Sequence, residues 1–204
     1  MGSEKTWLKI SGLCGLLAPV VAFTCIALAI YSYPPFSWTD NALSDLGVQS
    51  GITAPVFNIG LIVSGVLALI FASSLHVFLQ AKALGTVGTA IFVVDTLALA
   101  AIGVFPENVK PTHYIVSVMF FLLYPLAMLV ITAALLLVGR KRMGLFTLLT
   151  ALAAAATWIF HWTVGFGSNV AIPETLSAIA ASLWAMVVGF KMLKASSRAN
   201  KPQQ

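Results

Sequence analysis

Six long apolar runs, joined by short polar loops, leave this chain few folds to choose from. They lie at about 8–31, 55–80, 83–105, 112–138, 144–166 and 172–194. A helix that crosses a hydrocarbon core of ~30 Å needs about 20 apolar residues, and each run is long enough. In lipid every backbone group must be bonded internally, so runs of this kind predict helices. Composition agrees, with 60% hydrophobic residues, 8% charged residues and a mean hydropathy of +1.00. A soluble domain carries about 25% charged residues. The predicted fold class is therefore an all-α integral membrane protein, a single six-transmembrane-helix bundle over residues 8–194. It is flanked by a short segment at 1–7 and a basic tail at 195–204, which is expected to be disordered.

Basic residues predict the orientation. With six spans, the N-terminus, the second and fourth loops and the C-terminus share a side. Lys5, Lys9, Lys82, Arg140, Lys141, Arg142, Lys191, Lys194, Arg198 and Lys201 all fall there, against Lys110 alone on the other. Lysine and arginine mark the cytoplasmic side. Both termini are thus expected in the cytoplasm, with the chain a multi-pass protein of the plasma membrane. The net charge of +5 sits in these flanks and loops and gives no nucleic-acid signal. The apolar run from Leu8 is too long for a signal-peptide core. Cys14 and Cys25 are eleven residues apart on one predicted helix, or ~16 Å, too far for a disulfide.

Two runs carry proline in their interior, Pro19 in the first and Pro125 in the fourth, and each predicts a bend. Gly60, Ser64, Ala68 and Ala72 recur every four residues in the second run. That stripe predicts close approach by a neighbouring helix.

The longest connection, 32–54, contains Asn41-Ala42-Leu43-Ser44-Asp45-Leu46-Gly47. It places an amide, a hydroxyl and a carboxylate within five residues. Aromatic and apolar neighbours predict a folded cap on the outer side. Asp40, Asp45, Glu107 and Glu174 also fall on that side. Acids do little to set topology, so their clustering asks for another cause, and a polar site is one. Asp95 lies ten residues before the outer end of its run, about 15 Å deep. An acid there is a functional candidate by default, unless Thr89 or Thr96 satisfies it. His161 is roughly 8 Å deep, while Asn58 and His113 lie near the outer ends of their runs. The candidate ligand-binding residues are accordingly Asn41, Ser44, Asp45, Asn58, Asp95, Glu107, His113, His161 and Glu174. Simple structural roles compete, including helix capping by Asn41 and Asp45 and dipole compensation by Glu174.

Three chemistries suit such a face. An outward-facing Asp/Glu/His cavity could bind a lipid headgroup, an ion or a small ligand. Alternatively, His113, His161, Asp45 and Glu174 could hold Zn²⁺ with an open water position. Such a metal would generate hydroxide for hydrolysis of an outer-leaflet lipid amide or ester. No His-Glu-x-x-His, His-x-x-x-His or cysteine ligand set supports that reading. A small transporter or transporter subunit is the third, with a homodimer then expected. Membrane lipids are the expected partners in every case.

Leu43-Ser44-Asp45-Leu46-Gly47 resembles a bacterial and archaeal family of six-helix membrane proteins, domain of unknown function nine-nine-eight. The likeness continues at Phe57-Asn58-Ile59-Gly60-Leu61 with Ser64-Gly65, at Gly103-Val104-Phe105-Pro106-Glu107, at His113 and at Glu174. It covers about Gly12–Leu193. The resemblance implies the six-helix fold and the importance of Asp45, Glu107, His113 and Glu174, and it supplies no activity. Family members often begin the last helix with Glu-Arg. Here Thr175 follows Glu174, so that arginine has no carrier. A more distant analogy to alkaline ceramidases needs paired histidines four apart, and Gly165 stands four residues after His161.

Overall fold

Lipid tails are as apolar as leucine, so membrane helices associate through close packing rather than through hydrophobic burial. The computed structural model, which describes residues 2–80 and 82–198, shows how this chain does so. Its helices are α1 (Gly2–Tyr31), α2 (Thr53–Ser73), α3 (Leu75–Leu79), α4 (Lys82–Val104), α5 (Thr112–Leu137), α6 (Lys141–Thr163) and α7 (Ala171–Arg198). A 3-10 helix, Leu43–Val48, lies between α1 and α2. Six of these helices, all except α3, are long and apolar enough to cross a membrane.

The long helices form a closed ring in chain order. Each touches its sequence neighbours, and α7 returns to pack on α1. The closing pair is antiparallel, with Gly12 of α1 against Gly189 of α7 and Val20 grouped with Ile179 and Leu183. Both termini therefore leave at the same end, together with the α3–α4 and α5–α6 connections.

Glycine sets the seams. A Cβ at Gly12 would lie 2.8 Å from the Gly189 carbonyl oxygen. One at Gly65 would lie 2.6 Å from the Ala100 nitrogen on α4, and one at Gly60 would strike Cys25 of α1 at 2.3 Å. The stripe expected on α2 thus does its packing against α1, where Ser64 Oγ also donates to the Ala18 carbonyl at 3.0 Å.

The ring is filled unevenly. Towards the termini, Phe71, Phe92 and Trp184 meet edge-on, with centroids 5.3–6.1 Å apart. Trp184 Nε1 donates to Thr147 Oγ1 at 3.0 Å, so the largest buried side chain is satisfied inside the apolar half. Towards the other end a hollow remains.

Some boundaries differ from expectation. The second run is not one helix: α2 stops at Ser73, and α3 follows Ser74. There Ser74 Oγ pairs with Ser11 Oγ at 2.8 Å, and Trp7 Nε1 donates to Ser73 Oγ at 3.1 Å. Arg140 then closes α3, donating to the Phe78 and Leu79 carbonyls at 3.1 and 3.0 Å. Charge that marks a membrane side here also caps a helix end. Residues 2–7 are helical rather than a separate segment, and α7 runs through 195–198 of the expected tail. Residues 199–204 lie outside the described residues. Helix continues through Pro19 and Pro125.

Gly65→Val forces α2 off α4, because its Cβ has backbone and not a flexible side chain in front of it. We expect a loss of about 2 kcal/mol, read as a lower midpoint of thermal unfolding in detergent. An unchanged midpoint would mean that this seam is not tightly packed.

Candidate functional site

The 3-10 helix roofs the hollow half of the ring. Its first turn needs acceptors for free N–H groups, and two carboxylates supply them. Asp45, in that turn, takes the Ala42 N–H on Oδ2 at 3.1 Å and Asn41 Nδ2 at 2.7 Å. Asn41 Oδ1 in turn accepts the Ser37 N–H at 2.9 Å. Glu174, from the first turn of α7, accepts the Leu43 N–H on Oε2 at 2.6 Å. This contact joins the two ends of the chain's sequence across a buried bond.

Other ties fix the roof. Asn58 Nδ2 donates to the Gly47 carbonyl at 2.9 Å. A Cβ at Gly47 would lie 2.6 Å from Asn58 Oδ1, so the Ser-Asp-Leu-Gly glycine is there for close approach. The loop before the 3-10 helix is laced to the α6–α7 loop. Asn169 N–H and Ala171 N–H donate to the Thr39 and Asn41 carbonyls, both at 3.0 Å. Ser168 Oγ donates to Asp40 Oδ1 at 2.9 Å. Hydrogen bonds from Ser37, Ser168 and Thr39 hold the Asp40 carboxyl below its ordinary range.

Glu107, in the α4–α5 loop, completes an acidic group. Its carboxyl shares a hydrogen bond with Asp45. Two carboxylates can do this only when one keeps a proton. Glu107 keeps it: the hydrogen bond, partial burial and the Asp45 charge push it up to about 7, with Lys110 opposing. Glu174 is close enough to feel both.

Below the roof is a chamber of about 120 Å³. Five of the six long helices line it, and α6 does not. Leu43, Ser44 and Glu174 border it at the roof, and Phe71 and Phe92 border it at the aromatic floor. The walls mix small residues, such as Gly15, Ala18, Ala178 and Ala181, with large apolar ones, among them Phe57, Leu61 and Phe120. Asp95 borders it at depth, 2% exposed, and its Oδ1 is buried without a hydrogen-bond partner. Neither threonine satisfies that oxygen. Thr96 Oγ1 donates to the Val93 carbonyl of its own helix at 2.8 Å, and Thr89 Oγ1 is itself unpartnered.

The nine candidates therefore separate into groups. Ser44, Asp95 and Glu174 border the chamber. Asn41, Asp45 and Glu107 join Glu174 in building the roof. Asn58 is a tie beneath Gly47. His113 is turned to structure: Nδ1 lies 2.7 Å from the Phe105 carbonyl and Nε2 lies 3.3 Å from Ser117 Oγ. A carbonyl only accepts, so Nδ1 carries the proton and Nε2 receives the serine hydroxyl. His161 sits on α6 among Trp158, Trp162 and Phe166, with its Nδ1 unpartnered.

Among the described residues no group of three or more His, Cys, Asp or Glu is placed to hold a metal ion. Of the expected zinc set, Asp45 and Glu174 meet at the roof, while His113 is bonded at the α4–α5 turn and His161 packs in the α6 aromatic cluster. The chamber-facing stripe of α7, Ala178, Ala181, Ser182 and Ala185, escaped the reading of the sequence. Its i, i+3, i+4, i+7 spacing carried the signal.

Six apolar spans around a roofed chamber define a polytopic membrane protein. The chain belongs to the family described as protein of unknown function (DUF998), with residues 16–191 matched. No curated protein and no solved structure matches it.

The proton held by Glu107 makes the roof sensitive to pH. Folding raises this group from 4.5 to about 7, so the folded chain binds more protons between those values. Stability therefore falls as pH rises through that window and levels off above it. Glu107 is partly exposed and solvent screens it, so the change is on the order of 1 kcal/mol. We expect Glu107→Gln to flatten the slope, measured as hydrogen-exchange protection of residues 41–49. A wild-type slope persisting in that variant would place its origin elsewhere.

Proposed function

We propose that this is a membrane-embedded binding protein whose chamber receives the hydrogen-bond-donating head of an amphipathic molecule. The observation that carries the reading is the unpartnered, buried Asp95 Oδ1 at the chamber wall. A polar atom left in that state costs about 1–3 kcal/mol, and a donor on a ligand would offset it. The ionisable residues bordering the chamber are Asp95 and Glu174, both acidic. Anionic heads such as phosphate or carboxylate are therefore disfavoured, and amines, hydroxyls and amides are favoured. The mainly apolar walls suit the methylenes next to such a head.

Apart from Lys110 in the α4–α5 loop, the described basic residues fall at the end opposite the roof, which supports a plasma-membrane protein with cytoplasmic termini and the roof outside. Hydrolysis has less support, because the side chains required for a catalytic metal are dispersed.

Asp95→Leu removes the acceptor while keeping the branching and the number of side-chain heavy atoms. We expect the variant to unfold no more easily than wild type, and to gain up to about 2 kcal/mol from the lost desolvation. It should also lose most of its capacity to retain a long-chain primary amine through detergent purification, measured by native mass spectrometry. Equal retention by the two proteins would sink this reading.

A further inference from the structure

The chamber is too small for a whole lipid. Its volume of about 120 Å³ is close to that of an apolar cavity of ~150 Å³ that accepts one benzene. A head and the first few methylenes fit there, and an alkyl chain must lie elsewhere.

A second hollow meets the chamber. It is a groove of about 270 Å³ between α1 and α7, bordered by Val20, Ile179, Leu183 and Met186. Pro19, Phe23 and Ser182 border both spaces. Elsewhere the chamber is bordered by the roof at Leu43 and Ser44, the floor at Phe71 and Phe92, and side walls that include Leu61, Leu99 and Phe120.

The shape of the helix pair accounts for the groove. At Gly12 and Gly189 the two backbones touch. The contact runs on to Gly15 and Leu16, which also lie against Gly189; Pro19 is three residues beyond, about 5 Å further along α1, and it already borders the groove. Proline has no N–H to give the Gly15 carbonyl, so the helix lacks one internal bond at this level. Val20 and Leu183 are 51% and 53% exposed. In a span, that exposure faces acyl chains.

We propose that the ligand moves into the chamber sideways from the bilayer, through the α1–α7 seam, and that it is a single-chain aliphatic amphiphile. Its head rests against Asp95, and its chain lies in the groove between α1 and α7. This rests on the binding reading above and narrows it. A water-soluble ion or solute would instead have to pass the roof.

The test uses the full chain in phosphatidylcholine vesicles with a long-chain primary amine carrying a photoreactive diazirine on its chain. Labelled residues are mapped by mass spectrometry, and only labelling displaced by unlabelled amine is counted. We expect displaceable labelling at the groove positions Val20, Phe23 or Leu183, absent in Asp95→Leu. Ser182→Trp should slow its appearance roughly tenfold by narrowing the way in. Leu183→Trp, on the exposed rim, should slow it in the same direction in a protein whose core is untouched. If wild type shows displaceable labelling and both tryptophan variants load at the wild-type rate, the lateral route is overturned while the chamber reading stands. If wild type shows no displaceable labelling, both are overturned.

Discussion

The contact between Gly12 and Gly189 closes the ring. Each glycine presents bare backbone, and a Cβ on either would meet the other's carbonyl oxygen at 2.8 or 2.7 Å. Lipid surrounds the outside of the ring and supplies no net push to fill its inside. What the helices gain comes from fitting closely at their seams. Small residues serve that purpose, and where they turn inward rather than sideways they leave space. The aromatic group of Phe71, Phe92 and Trp184 fills the other half with large rings.

The roof follows a different physics. Its backbone is not in a long helix, so its N–H groups need partners from elsewhere. Asp45 serves its own turn, and Glu174 reaches in from α7. Glu107 joins by holding a proton against Asp45. At this end Asp45 and Glu174 each accept a backbone hydrogen bond, and Glu107 is pushed up beside Asp45. Asp95 differs from all three. Its Oδ1 has no hydrogen-bond partner, and the residue is almost wholly buried.

Much of the fold was legible in the sequence. Span positions follow from hydrocarbon length alone, and the acidic end was visible as a departure from what topology requires. The motif at Asn41–Gly47 announced a folded cap because polar groups in an apolar chain must find partners. What the sequence withheld was rotation about each helix axis. Depth alone grouped His113 and His161 with the acids. Structure turns His113 onto the Phe105 carbonyl and His161 into an aromatic cluster. Glu174 reads in sequence as a candidate site residue, with dipole compensation as the competing role, and its bond to the roof needed the fold to bring Leu43 beside it. The Ser74 break was hidden because its cause is a hydroxyl pair with Ser11, 63 residues away.

The bond from Leu43 to Glu174 spans 131 residues, and this separation dictates an order of assembly. A chain made from its N-terminus inserts α1 and exposes the 3-10 segment long before α7 exists. Until α7 arrives, the Leu43 N–H has no Glu174 to receive it, and α1 has no partner across Gly12. The ring and its roof are therefore completed by the same late event. During synthesis the interior stands open along one whole side until the last helix docks.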